Sequence, residues 1–247
     1  MLEKSHHDPV YDVHFLQSRS ASEFVTTSTD GRILFWDYKN LQAGPTDSLL
    51  MSETIPMGDQ QVVKTLGGTS LEYNIDAGPT KYLIGTEQGY ILQAQKRPNK
   101  NVEIQTRFGY ESGKHHGPVY SVHRNFAHSK YFLSIGDWTA KVWSEELKTP
   151  IMQTRYHPSY LTDGCWSQTR PGLFYLTRMD GFLDVWDFFY RQNEVAYSQK
   201  ISDSPLTSIN VHGSMSAIGD ADGTVSIMGL CRPLYDQTLQ PKEKELM

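Results

Sequence analysis

Apolar and polar residues alternate in short runs along the whole chain. No stretch repeats apolar positions every three or four residues over the length of a helix. Five runs read as one set of strands: "PVYDVHF", "TSLEYNI", "PVYSVHR", "LTDGCWS" and "PLTSINV". A second set follows them: "EFVTTS", "KYLIGT", "KYFLSI", "LFYLTR" and "MSAIGD". After each of these comes a turn and a third run: "TDGRILFWD", "EQGYILQAQ", "GDWTAKVWS", "MDGFLDVWD" and "ADGTVSIMG". Such runs, bounded by Gly, Pro, Asn and Ser, predict an all-β protein. Asp-Gly between two of them predicts a type I′ hairpin turn.

The turns recur at Asp30, Gln88, Asp137, Asp180 and Asp222, so the steps are 58, 49, 43 and 42 residues. The last two steps match the roughly 40–45-residue period of WD repeats, and the first two require insertions. The expected fold is therefore a WD-repeat β-propeller with five recognisable blades, at about 5–60, 61–112, 113–153, 154–200 and 201–230. Residues 231–247 form a polar tail. Seven blades would need about 300 residues at this period, so the expectation is part of a seven-bladed ring. Extra loop is expected after the third strand of the first two units, and such loops are where partner contacts concentrate.

In a propeller blade a His, a Ser or Thr, the turn Asp and a Trp can form one buried hydrogen-bond chain that satisfies every polar group in it. In the first unit these would be His6, Ser28, Asp30 and Trp36. The third unit has His115, Asp137 and Trp143, with Ile135 at the Ser position and hence a shorter network. The fourth keeps Asp180 and Trp186, and the second and fifth have no Trp.

The chain has 247 residues, a net charge of −5 and 38% hydrophobic residues, a globular balance with no basic excess to suggest nucleic acid. No apolar run approaches a membrane span. Cys165 and Cys231 lack metal-ligand spacing and read as ordinary buried or half-buried thiols of a reducing compartment. His6, Ser28 and Asp30 have the composition of a hydrolase triad, but catalysis would need Ser28 exposed beside an oxyanion hole. The repeat explains the same residues without chemistry. His6–His7 and His115–His116 lack a third ligand, so no metal is expected, nor any cofactor or enzymatic activity.

Trp138 stands where three other units have Gly31, Gly181 and Gly223. A bulky residue is disfavoured at positive φ, so this turn must take another shape. Trp138 is either an aromatic anchor for a partner protein or a residue packed on a neighbouring blade's loop. With it, Thr139, Arg32 and Gln88 are candidate partner contacts. Tyr156, Tyr160 and Trp166 read as core between blades.

The phrases "SHHDPVYDV", "STDGRILFWD", "GTEQG", "HHGPVYSV", "GDWTAKVWSE", "YHPSYLTDGCWS" and "RMDGFLDVWD" resemble, in their order, the axonemal dynein intermediate chains, specifically the second-intermediate-chain type of the outer arm. The resemblance implies a non-catalytic scaffold subunit in the cytoplasm and cytoskeleton of the cilium or flagellum. Its propeller would bind the tail of a dynein heavy chain and pair with a second intermediate chain. The assembly would sit on the doublet microtubule, directly or through other subunits. An intermediate chain of an inner-arm or cytoplasmic dynein, or a generic WD-repeat adaptor, is the alternative. The resemblance places light-chain binding in extensions outside the ring, so that property is not carried over to this chain.

Overall fold

A computed structural model describes residues 2–18, 21–57, 60–97, 100–236 and 238. It divides into two compact units, residues 1–122 and 123–247. Within the described residues the architecture is all-β apart from short helical turns. Most of the tail predicted at 231–247 lies outside them.

The first unit holds two four-stranded antiparallel meanders. The first sheet runs Val10–Phe15, Glu23–Ser28, Arg32–Asp37 and Asp47–Leu50. The second runs Gly68–Glu72, Lys81–Thr86, Ile91–Gln95 and Glu103–Phe108. Between them the predicted extra loop is a hairpin, Ser52–Met57 paired with Gln60–Thr65. The division expected at 60/61 therefore passes through a strand. This hairpin accounts for the longest step of the repeat. Val25, Ile33, Phe35, Leu71, Ile84 and Leu92 pack into one core, and full burial of each such side chain contributes about 1.5–3 kcal/mol.

Strand Val119–Arg124 carries the chain from one unit to the next and begins the third sheet. That sheet continues through Tyr131–Gly136, Thr139–Ser144 and the short Met152–Gln153. The fourth sheet runs Leu161–Trp166, Leu173–Arg178, Phe182–Asp187 and Tyr197–Lys200. The fifth has three strands among the described residues: Leu206–His212, Met215–Asp220 and Val225–Gly229. The short helix Arg232–Tyr235 that follows is held by Arg170, which donates to Pro233 O at 2.8 Å and to the Asp187 carboxylate at 2.9 Å.

Two features repeat that the sequence pattern did not announce. The first strand of the first, second, fourth and fifth sheets carries a β-bulge near its start, as at Val10/Asp12 and Leu161/Asp163. A bulge re-aims the side chains beside it. Asp12 thus accepts from the Leu71 N–H of the second sheet at 2.9 Å, and Asp163 from the Ile209 N–H of the fifth at 3.0 Å. The other feature is a cross-strand stack of Phe on Trp: Phe24–Trp36, Phe132–Trp143 and Phe174–Trp186, with ring centroids 6.1–6.2 Å apart.

The Asp-Gly turns are not type I′. Gly31 has φ +80° while Asp30 stays out of the left-handed region, and the Gly31 N–H donates to Ser28 O at 3.3 Å. Gly181 and Gly223 have φ of +84° and +82° and make the same bond, to Arg178 O and Asp220 O. This is a type I turn that ends on a left-handed residue, so only the glycine position demands positive φ.

Candidate protein-interaction surface

In the first sheet, Nδ1–H of His6 donates to Asp30 Oδ2 at 3.0 Å. His6 Nε2 lies 2.8 Å from the Thr26 hydroxyl, which also accepts from Trp36 Nε1–H at 2.9 Å. The hydroxyl that joins His to Trp is therefore Thr26, not Ser28. Ser28 is fully buried and donates to Asp8 O at 3.1 Å. The two residues share a strand face, and counting back from the turn points to the wrong one. Burial works to raise the Asp30 carboxyl. Hydrogen bonds from the Arg32 and His7 amides and from His6 outweigh it and hold Asp30 below the usual carboxylate range. A fully buried Ser28 engaged with a backbone carbonyl is no nucleophile.

The same correction applies in the third sheet. Trp143 Nε1–H donates at 2.8 Å to Ser134, so a hydroxyl is present there after all, one residue before Ile135. Strand pairing makes Ser134 the counterpart of Thr26, each lying two residues beyond the Phe that stacks on Trp. His115 is buried in the first unit, where its N–H donates to Gly89 O at 3.0 Å.

In the fourth sheet the His is His157, and its carboxylate is Asp184 rather than the turn residue Asp180. Nδ1–H of His157 donates to Asp184 Oδ2 at 2.8 Å, Arg178 donates to both Asp184 oxygens at 3.0 and 3.2 Å, and Ser198 donates at 2.5 Å. Burial pushes the Asp184 carboxyl up, but these donors outweigh it and its pKa falls below the ordinary value. Asp180 instead pairs with Arg178 from the other side. Leu176 occupies the position of Thr26, and both His157 Nε2 and Trp186 Nε1 are buried without a partner among the described residues.

The turn with Trp138 differs from the others, as its sequence required. It has two residues, with Gly136 paired directly to Thr139. Asp137 takes the left-handed conformation at φ +52°, and Trp138 does not. Asp tolerates this region better than a bulky residue does. Thr139 locks Asp137 in place, its N–H and hydroxyl donating to Oδ1 at 2.7 and 2.8 Å. The following loop clamps the turn. His157 N–H donates to Trp138 O and Leu161 N–H to Asp137 O, both at 2.9 Å. The indole meets Tyr160 edge-on at 4.8 Å and stays 43% exposed. Trp138 thus packs on the neighbouring loop and still presents a face to solvent.

The remaining candidate positions divide. Arg32 and Gln88 are half-buried in the first unit. Thr139 is only 1% exposed, so it positions the turn and cannot touch a partner directly. Of the residues expected as core, Trp166 is buried and donates to His123 O at 3.1 Å, while Tyr160 is half-buried. Tyr156, by contrast, is 64% exposed. Cys231 is exposed, unlike the expectation, and burial pushes the Cys165 thiol up to about 12. No group of three metal-ligating side chains occurs among the described residues, and no helix among them is long and apolar enough to cross a membrane.

On the loop whose His157 N–H bonds Trp138 O lies a small cavity of about 190 Å³, bordered by Tyr156, Pro158, Trp186 and Val195 with Arg155, Asn193 and Glu194. Surfaces that combine exposed aromatics, arginine and a fitted recess are typical centres of protein–protein contact.

The family profile for the dynein axonemal intermediate chain 3 WD40 domain matches residues 59–230. The chain is 42% identical over 98% of its length to the 70 kDa intermediate chain of the flagellar outer arm of Chlamydomonas reinhardtii. It is 43% identical over its whole length to the ciliary dynein intermediate chain 3 of Heliocidaris crassispina, and 38% identical over 99% to human dynein axonemal intermediate chain 2. It covers 41%, 40% and 39% of those proteins, about two-fifths of their length. This all-β chain, with its WD-repeat register and clamped aromatic turn, belongs to the axonemal dynein intermediate chains.

Proposed function

We propose that the chain is the propeller portion of a non-catalytic scaffold subunit of an axonemal outer-arm dynein. Its work is to bind the heavy-chain tail and a partner intermediate chain in the cilium or flagellum. The five sheets, in this reading, are blades of a seven-bladed ring. The observation that carries the reading is the 42% identity over nearly the whole chain to a flagellar outer-arm intermediate chain.

The mechanism is positional. The carboxylate networks of the first and fourth sheets stiffen the hairpins from which loops project, and rigid loops bind with little loss of side-chain freedom. Trp138 is the anchor on the second unit, and Arg32 and Gln88 are separate contacts on the first. Thr139 acts through Asp137. No proton or bond is moved by this subunit, and ATP hydrolysis belongs to the heavy chain.

The test is binding of the full-length protein to a purified outer-arm heavy-chain tail. Wild type is expected to bind, and Trp138→Ala to weaken binding by about tenfold, the usual scale for an aromatic hot spot. A 43% exposed side chain can be truncated without a large loss of fold stability, so unfolding curves should nearly coincide. No binding by folded wild type overturns the dynein reading in favour of a generic adaptor. Full affinity of Trp138→Ala removes Trp138 from the interface.

A further inference from the structure

The 190 Å³ cavity on the 155–158 loop points to a specific kind of occupant. At about 30 Å³ per water it holds roughly six waters, and it falls below the roughly 300–1,000 Å³ of sites that enclose whole small molecules. Its size fits one large side chain. Its walls are mainly carbon, from Tyr156, Pro158, Trp186 and Val195, which disfavours a charged or strongly polar occupant. The imidazole of His157 also lines it, as does Glu194, whose carboxylate is paired with Arg191 at 3.4 Å. Arg155 is exposed at the edge and has no carboxylate partner among the described residues. Tyr156 is 64% exposed beside it. The residue after Tyr156 is His157, whose N–H bonds Trp138 O, so the cavity and the Trp138–Tyr160 pair are built on one loop.

We propose that this cavity is a socket for a single bulky apolar side chain of a partner segment that also carries a carboxylate toward Arg155. Trp138 and Tyr160 supply an aromatic platform next to the socket. The carboxylate sets orientation and speeds encounter, while the apolar anchor supplies most of the residence time. The socket is preformed. Asp184, held by Arg178, Ser198 and His157, fixes the imidazole behind it, and the imidazole lies 5.6 Å from the Trp186 ring. The inference rests on the reading that this protein docks a dynein heavy-chain tail, and it names the feature of that partner that the surface selects.

Three variants of the full-length protein test it against the heavy-chain tail. Asn193→Trp, at an exposed lining position, plugs the cavity with little risk to the fold, and it should lower affinity by about tenfold or more, mainly through faster dissociation. Tyr156→Ala should lower it several-fold. Arg155→Glu should slow association and flatten its salt dependence, a readout that a purely structural role would not move. If wild type binds and all three variants bind like it, the socket is overturned while the scaffold reading stands. If folded wild type does not bind the tail at all, both are overturned. Loss on plugging with no change in the salt dependence of Arg155→Glu keeps the apolar socket and overturns the carboxylate.

Discussion

The first and fourth sheets carry the same stacked Phe–Trp pair and the same His–carboxylate contact, yet they are wired differently. In the first, the carboxylate comes from the turn, Asp30, and Thr26 serves both rings. In the fourth, the carboxylate comes from the strand, Asp184, and Leu176 leaves two ring nitrogens unpaired. An unsatisfied buried donor or acceptor costs about 1–3 kcal/mol. The fourth sheet offsets this with Arg178, which ties Asp184 and Asp180 together, and with Ser198 on Asp184. What the repeat preserves is an imidazole held by a carboxylate. The residue that supplies the carboxylate, and the one that satisfies the rest, are free to change.

Removing the carboxylate separates the two designs most strongly. Asp184→Ala leaves Arg178 buried with only Asp180 and takes the acceptor from His157. Breaking a buried pair in this way costs about 3–5 kcal/mol. The Asp30 side chain is also buried but pairs with no arginine; losing its bonds from His6 and the His7 and Arg32 amides should cost about 2–3 kcal/mol. Thermal unfolding should show a clear gap between the two variants, and equal losses would mean that Arg178 adds nothing. pH supplies a second reading of the same comparison. The Asp184 carboxyl titrates below its ordinary 3.8 in the folded state. Its contribution is therefore fully present above the unfolded value and fades as pH falls through the folded one. The stability difference between wild type and Asp184→Ala should hold from pH 7 to 5 and shrink below about pH 4.

The middle-sized effect is at the bridging hydroxyl. Thr26→Val keeps the shape of the side chain and orphans His6 Nε2 and Trp36 Nε1, making the first sheet resemble the fourth. A loss of about 1–3 kcal/mol in denaturant unfolding is expected. Ser28→Ala, by contrast, removes the bond to Asp8 O and the one accepted from the Asp30 N–H but touches neither ring, and should cost about 1–2 kcal/mol. The reverse order would return the bridging role to Ser28.

These residues also mark how far the sequence could be read. Strand runs, turn positions and the odd turn at Trp138 were legible because alternation and glycine placement act locally. The bridging hydroxyl was not, since Thr26 and Ser28 share a strand face and only pairing against Leu34 and Trp36 distinguishes them. Asp184 was hidden in "FLDVWD", where it reads as one polar residue in an alternating strand. Its burial depends on His157, 27 residues earlier. Asp12 and Asp163 occupy the same strand position in two units, a signal that was present in the sequence, but the bulge that aims them is not a composition effect. Tyr156 looked like core because aromatics cluster around it, and clustering alone does not say which of them faces out.

The smallest effect is the most discriminating, because it runs against the usual rule. In a buried apolar site, replacing Val by Thr normally destabilises, since the added hydroxyl must be desolvated. At position 176 the neighbouring His157 Nε2 and Trp186 Nε1 are already desolvated and unpaired. Leu176→Val and Leu176→Thr remove nearly the same volume and should share the same packing loss. Only the threonine hydroxyl can donate to the imidazole while accepting from the indole, as Thr26 does at 2.8 and 2.9 Å. Each such bond contributes about 0.5–1.5 kcal/mol, so Leu176→Thr should unfold at higher denaturant than Leu176→Val by about 1 kcal/mol. If valine proves the more stable, the two ring nitrogens do not converge on position 176, and the likeness between the first and fourth sheets ends at the stacked rings.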